Sequence, residues 1–331
     1  MRITDLGEFG LIARVAALQP APNRKLIVGI GDDAAVWQPE GLAIATTDTL
    51  VEDVHFRRRY ASWEDVGWKA LAVNVSDVAA MGGSPRYALV TLGLPAETAV
   101  EDLRALYDGL AAAAATYGVV VAGGDIVGSP VAFVTIALYG EAAAADRLLR
   151  RDAARAGDLV AVTGSVGASA AGLLALDGDL PLPAAALAPL RAAHLRPRPR
   201  LDEARVLVAA GVRCAIDLSD GLAGDLGHVC RASGVAARVE LARLPVAAAV
   251  REHFPDRWPD LALRGGEDYE LLCAAPGPVV ERARARLAEE GLAPLAVVGE
   301  IVAGPPGQIT LLAADGRSET LATGGFEHFR R

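Results

Sequence analysis

Lysine is almost missing from this 331-residue chain: it occurs at Lys25 and Lys69 and nowhere else. A Walker-type phosphate loop needs a lysine after its glycines. The glycine-rich stretch TGSVGASAAG, residues 163 to 172, has none, so any nucleotide chemistry must proceed by other means. Cysteine is sparse, with Cys214, Cys230 and Cys273 and no CxxC spacing. That argues against a disulfide frame or a structural zinc site and fits a reducing, cytoplasmic setting. No apolar run reaches the roughly 20 residues that span a bilayer. The opening MRITDLGEFGLIARV is acidic early and has no leader-like apolar core, so neither a membrane partner nor a secretory signal is expected. Positive charge is in deficit, with 32 Lys and Arg against 41 Asp and Glu, a net charge of -9. This balance argues against a nucleic-acid partner.

What the chain does have is a regular alternation of strand and helix signals. Apolar runs at 26 to 37 (LIVGIGDDAAVW, broken by a Gly-Asp-Asp turn), 42 to 51 (LAIATTDTLV) and 86 to 95 (RYALVTLGLP) read as strands. Helical spacing runs through Val66, Ala70, Val73 and Val78 and stops at Gly82 and Gly83; a second helix over 96 to 118 closes at Gly118. A polar, arginine-rich stretch, EAAAADRLLRRDAARAGD, marks a boundary near residue 145. Beyond it LVAVTG, CAIDLS, ARVEL, YELLCAA, LAVVGEI and QITLLAA read as strands. GASAAGLLALDG, RLDEARVLVAAG, DGLAGDLGHVCRASG and PGPVVERARARLAEEG read as helices. The pattern predicts a mixed α/β (α+β) protein of two domains, 1–145 and 146–331.

The acids cluster at the ends of these elements: Asp32 and Asp33, Asp48, Glu52 and Asp53, Asp77, Asp125, Asp217 and Asp220, Asp225, Glu267 and Asp268. Taken singly, each has an ordinary explanation. Asp220 could cap the helix that follows, Gly-Asp pairs could make turns, and Asp225 is expected on a solvated or dipole-favoured first helical turn. His55 alone would be a bland histidine. The ordinary explanation weakens because the same arrangement recurs in both halves: an apolar run, then glycine or Ser/Thr, then Asp. Caps need neither paired aspartates nor Thr-Thr-Asp at a strand end. Carboxylates with hydroxyls and carbonyls are oxygen ligands suited to hard divalent ions, Mg2+ above all, which are readily shared with phosphates. An acidic protein can in this way hold an acidic nucleotide.

The stretches GEFGLIARV, GIGDDAAV, TTDTLVEDVHF, KALAVNVSDVAAMGG, GGD, RAGDLVAVTG, HLRPRPR, AIDLSDGLAGDLGHVCRASG, LRGGEDYELL and GFEHF run in order from residue 7 to 329. Together they resemble the thiamine-monophosphate kinase family, part of the fold group that includes aminoimidazole ribonucleotide synthetase, selenophosphate synthetase and a hydrogenase maturation factor. The resemblance implies a two-domain fold of that group, with the first domain's sheet pairing in a homodimer. It implies transfer of the ATP γ-phosphoryl group to thiamine monophosphate. By the same resemblance Asp33, Thr46, Thr47, Asp48, Asp77, Asp125, Asp217 and Asp220 would hold several magnesium ions. Gly124, Arg151 and Ser219 would contact ATP, and His55, Glu267 and Phe326 the thiamine substrate.

The acceptor phosphate has a second pKa of about 6 and is largely ionised at neutral pH. Direct in-line transfer with no phosphoenzyme is therefore expected, with no strong general base. The chain departs from the family pattern in three places: IVGSP (Ile126 to Pro130) after GGD, Phe326 where Tyr is frequent, and Thr46 for a frequent Ser. The rival readings are a sibling ATP-dependent synthetase, a metal-dependent phosphohydrolase, and a non-catalytic nucleotide-binding module.

Overall fold

The computed structural model describes residues 2, 5, 7–18, 26–30, 34–178, 180–313 and 315–321. It divides into two compact units, residues 1–78 with 83–145, and residues 79–82 with 146–331.

In the first unit the described elements are α1 (Gly7–Leu18), β1 (Leu26–Val28), β2 (Val36–Trp37), β3 (Leu42–Val51), α2 (Trp63–Ala80), β4 (Ser84–Leu94), α3 (Val100–Tyr117), β5 (Val120–Gly128) and β6 (Phe133–Ala142). A four-stranded sheet runs in the order β3-β6-β4-β5, antiparallel except for the β4–β5 pair. A parallel pair needs a crossover, and α3 supplies it. The register sets Leu50, Asp48 and Thr46 opposite Val134, Ile136 and Leu138. Directly opposed residues share a face of the sheet. Val134, Ile136 and Leu138 are buried, so that face carries the core.

Ser62 and Asp65 start α2 with reciprocal bonds: each backbone N–H donates to the other's side-chain oxygen at 3.1 Å. This is a capping box with Asp in the place of Glu. α2 is then buried almost all round, apolar at Val66, Leu71, Ala72, Val73, Val75 and Val78 and polar at Lys69, Asn74 and Ser76. It meets α3 at two glycines. A Cβ at Gly67 would overlap the Leu106 carbonyl oxygen, and one at Gly109 the Glu64 carbonyl oxygen. Gly118 ends α3 in the left-handed region at φ 70°, as its sequence position predicts. The apolar stretch over residues 26 to 37, read as broken by a Gly-Asp-Asp turn, supplies the antiparallel pair β1–β2. Its Trp37 ring stacks 5.1 Å from Tyr87 and 5.0 Å from Tyr139.

The second unit contains β7 (Leu159–Thr163), α4 (Ala168–Asp177), α5 (Ala184–Leu195), α6 (Leu201–Ala210), β8 (Cys214–Asp217), α7 (Leu222–Ser233), β9 (Ala236–Glu240), α8 (Ala248–His253), α9 (Trp258–Arg264), β10 (Leu271–Ala275), α10 (Gly277–Glu289), β11 (Leu295–Val302), β12 (Ile309–Leu312) and β13 (Ser318–Leu321). Its sheet order is β13-β12-β9-β11-β7-β10-β8. Alternate residues feed two cores. Val160, Val162, Ile216, Leu272 and Ala274 pack with Leu222, Leu226 and Val229 of α7. Ala161, Ala215, Leu271, Cys273 and Ala275 pack with Leu207 of α6 and Val280, Ala283 and Leu287 of α10. A sheet covered on both faces explains why these strands read as unbroken apolar runs. α5, α8 and α9 escaped the sequence reading. α5 carries Pro189 inside it, and α8 and α9 are short, 6 and 7 residues.

The α2–α3 crossing yields a stability prediction. Alanine at Gly67 or Gly109 would gain about 1 kcal/mol in helix propensity, but the obstructing atoms are backbone and cannot rotate away. Gly67→Ala and Gly109→Ala are each expected to lower stability by about 1–3 kcal/mol net, measured as the urea unfolding free energy. An unchanged or increased value would mean that the two helices have room to spare.

Candidate active site

In the first unit, the Thr46 hydroxyl of β3 donates to the Asp77 carboxylate of α2 at 2.5 Å. This contact joins the TTDT and NVSD stretches. Asp48 lies on the same face of β3 as Thr46, by its register with Ile136. Thr47 pairs with Ala137 and so faces the other way. Asp125 belongs to the row Thr49, Thr135, Thr91, Asp125 on that second face, and it accepts the Ile126 N–H at 2.9 Å. Gly124 has φ 156°, and a Cβ there would overlap the Val90 carbonyl oxygen; only glycine lets β5 pass β4 so closely.

β3 ends in a tight turn at Glu52–Phe56, with Asp53 at φ 64°. The Val51 N–H donates to His55 Nδ1 at 3.1 Å. That bond makes Nδ1 an acceptor and places the proton of the neutral ring on Nε2. Asp33 and Phe326 lie outside the described residues.

In the second unit, two loops lie side by side. The segment after β8 and the segment before β10 continue the strand pairing. Leu218 N–H donates to the Glu270 carbonyl at 2.8 Å, Tyr269 N–H to the Leu218 carbonyl at 2.9 Å, and Glu267 N–H to the Ser219 carbonyl at 2.8 Å. DLSDG and GGEDYE are thereby laced together, which puts Glu267 beside Ser219 and Asp220. Gly266 is required at this seam, because a Cβ would overlap the Ser219 carbonyl oxygen. Glu267 and Tyr269 adopt φ 65° and φ 51°, uncommon values for residues with side chains.

The acids of these loops have different partners. Asp217 is buried, and Asp225, in the first turn of α7 as expected, is buried rather than solvated, at 2% exposure. Asp225 accepts the Asp220 N–H at 3.1 Å. Burial, and then the charges of Asp217 and Asp220, push its pKa up to about 8, against a downward pull from Arg151. Asp268 accepts N–H bonds from Gly167 at 2.7 Å and Ser169 at 3.1 Å, at the start of α4. Burial pushes its pKa up to about 7 in spite of them.

Glu270 is buried and receives Arg200 in a two-pronged pair, Nε and Nη2 at 2.6 Å each, with Thr163 Oγ1 donating at 2.7 Å. Burial raises its pKa; Arg200 and Thr163 lower it. Glu267 Oε2 lies 3.2 Å from Nδ1 of the buried His194.

The glycine-rich loop at 163 to 172 has its explanation here. A Cβ at Gly164 would overlap the Glu270 carboxylate, and Gly167 gives its N–H to Asp268. The loop wraps the protein's own carboxylates, so it needs no lysine.

The exposed Arg151 has its backbone carbonyl fixed by Ser233 Oγ, which donates at 2.9 Å. The three thiols are buried, and their pKa values are pushed up to about 12 for Cys214 and Cys273 and about 11 for Cys230. None is a thiolate at neutral pH. Among the described residues no three His, Cys, Asp or Glu side chains already form a metal-binding group. The donor chemistry nonetheless suits a hard cation: the candidates are carboxylates and hydroxyls, and the charges of Asp217 and Asp220 bear on the buried Asp225. Sequence reasoning missed His194, Arg200, Asp268 and Glu270 as builders of the site. HLRPRPR and GGEDYELL contain them all, but their roles depend on contacts distant in sequence.

Two family models match the chain: AIR synthase related protein, N-terminal domain, over residues 31–142, and AIR synthase related protein, C-terminal domain, over residues 155–311. The thiamine-monophosphate kinase of Bacillus subtilis is 36% identical over 98% of this chain and 100% of its own length. The crystal structure of thiamine-monophosphate kinase from Stenotrophomonas maltophilia is similar at a TM-score of 0.83 and 38% identity, over 94% of this chain and 98% of that one. A structure described as AaThiL complexed with AMPPCP and TMP is similar at 0.76 and 32%, over 99% of both chains.

Two outcomes follow from the buried acids. Arg200→Gln leaves Glu270 as an uncompensated buried carboxylate and is expected to cost about 3–5 kcal/mol, read from urea unfolding; a loss below about 1 kcal/mol would show the pair to be marginal. Asp268 holds its proton in the folded state over the interval from 3.8 to about 7, where the unfolded chain has released it. This group therefore makes the protein less stable as pH rises through that interval, and adds no further change above it. Asp268→Asn removes the effect, so its stability relative to the parent should climb between pH 4 and 7 and then level off. A flat difference across thermal melts in that range would refute the assignment.

Proposed function

The chain belongs to the AIR synthase related family and, within it, to the thiamine-monophosphate kinases, and on that premise we propose that it transfers the γ-phosphoryl group of ATP to thiamine monophosphate, giving thiamine diphosphate and ADP. What carries the reading is the near full-length likeness to kinases of that name, joined to the acid-rich seam of DLSDG and GGEDYE. The relative described with AMPPCP and TMP supports both substrates, an ATP analogue and the thiamine ester.

Asp33, Thr46, Thr47, Asp48, Asp77 and Asp125 of the first unit and Asp217 and Asp220 of the second would hold Mg2+ ions, which when bound supply positive charge between donor and acceptor phosphates. Gly124, Arg151 and Ser219 bind ATP in this reading. Arg151 brings the one full positive charge of that set, on a backbone pinned by Ser233. His55 presents its Nε2–H as a donor to the thiamine substrate, Glu267 sets a carboxylate against the cationic thiazolium ring, and Phe326 offers a stacking face. Because the acceptor phosphate is already ionised near neutral pH, no residue needs to take a proton from it. The side chains position and neutralise, and transfer is direct and in line. The same reading makes the protein a homodimer, joined through the sheet of the first unit.

The decisive assay mixes purified protein, ATP, Mg2+ and thiamine monophosphate and measures thiamine diphosphate directly; release of phosphate without that product would point to a hydrolase. Rapid-quench labelling from γ-labelled ATP should show product and no labelled protein, and a labelled chain preceding product would exclude direct transfer. Glu267→Gln is expected to weaken thiamine monophosphate binding by roughly 10-fold or more while changing ATP binding little. Equal losses for the two substrates would remove Glu267 from the thiamine contact.

A further inference from the structure

We propose that His194 is a positioning residue for the thiamine substrate, acting through Glu267: it fixes the direction of that carboxylate while leaving its negative charge available to the thiazolium ring. The proposal rests on the reading of Glu267 as the thiamine contact.

His194 stands in the last turn of α5, and its side chain is 2% exposed, whereas that of Glu267 is 27% exposed. The carboxylate therefore spans the boundary between interior and surface, with the imidazole behind it. His194 Nδ1 is 3.2 Å from Glu267 Oε2 and 3.1 Å from Ser169 Oγ. An ionised carboxylate only accepts hydrogen bonds, so a nitrogen facing it at that distance must carry the proton. The geometry assigns the proton to Nδ1.

The approach is built into the fold. α4 and α5 come together at Gly172, where a Cβ would overlap the Leu190 carbonyl oxygen and would lie 3.3 Å from His194 Cβ. This close crossing brings the His194 ring to Ser169. Ser169 in turn gives its N–H to Asp268, the residue after Glu267. The backbone around Glu267 is held from both sides: its own N–H is bound to Ser219 and that of Tyr269 to Leu218. With the backbone fixed in a left-handed conformation, the freedom left to Glu267 is in its side-chain torsions, and His194 restrains these.

The choice of imidazole has a physical reason. An apolar residue would fill the same volume but would leave Oε2 undirected at the edge of the interior. A guanidinium or ammonium would direct it but would cancel the charge that attracts a cationic ring. An imidazole N–H directs a carboxylate without requiring a full positive charge of its own.

The test is steady-state kinetics of the full chain with Mg2+, varying thiamine monophosphate and ATP in turn, for the parent, His194→Leu, His194→Asn, His194→Gln, Glu267→Gln and the double variant His194→Leu with Glu267→Gln. His194→Leu should raise KM for thiamine monophosphate about 10-fold, the effect of losing one hydrogen bond to a charged group, and leave kcat and the KM for ATP within about 2-fold. His194→Asn, whose amide nitrogen can stand where Nδ1 stood, should recover most of the loss, and His194→Gln should recover less. In the Glu267→Gln background His194→Leu should add nothing.

Independent, multiplying losses in the double variant would overturn the proposal, as would equal rises in both KM values. Should His194→Leu fail to fold, the Asn and Gln variants decide: equal KM values for thiamine monophosphate would overturn it. A Glu267→Gln protein with unaltered KM for thiamine monophosphate would sink the reading of Glu267 itself. Loss with Glu267→Gln but none with His194→Leu would sink only the role given to His194.

Discussion

A carboxylate 3% exposed cannot stay ionised in isolation, and Glu270 is held by a guanidinium, a hydroxyl and a backbone N–H at once. Much of the second unit's architecture is arranged around that requirement. Arg200 comes from the start of α6, Thr163 from the end of β7 and Ser165 from the glycine-rich loop, so one side chain ties three elements to the leading edge of β10. Thr163 Oγ1 also accepts the Leu271 N–H at 2.9 Å, which extends the network into the strand. Burying such a pair is weak evidence for net stability, since desolvation opposes the Coulombic gain. Its use here is geometric: it fixes where the GGEDYE segment begins its run into the sheet.

From that anchor, successive acids in one short segment meet different environments. Glu270 meets a guanidinium, Asp268 the N–H groups that open α4, and Glu267 an imidazole at the edge of solvent. Across the seam, the charges of Asp217 and Asp220 push up the pKa of the buried Asp225, against a downward pull from Arg151. The first three meet groups of the chain itself, while the second set concentrates negative charge at one place. That contrast separates acids that build the fold from acids whose crowding suits a cation.

The sequence carried the class of fold and most strands, because a sheet buried on both faces writes itself as apolar runs and helix α3 ends at a glycine that only a left-handed turn explains. It carried the clustering of acids at element ends as well. It did not carry the partition just described. Asp225 looks like a solvated first-turn residue until α7 is seen packed into the core, and Asp268 looks like a neighbour of Glu267 until α4 arrives above it. Arg200 and His194 are ordinary residues in an arginine- and proline-rich stretch. Their partners lie 70 and 73 positions away, distances at which local propensity says nothing.

The pleat of β3 has a consequence of another kind. Thr46 and Asp48 look toward α2, and Thr47 and Thr49 look away, solely because neighbours on an extended chain alternate. Removing one amino acid upstream in that strand would turn the stretch inside out, pointing Thr47 at Asp77 and sending Asp48 to the opposite surface. An insertion or deletion between Leu42 and Asp48 therefore keeps Thr46 and Asp48 on the α2 side only when it comes two residues at a time.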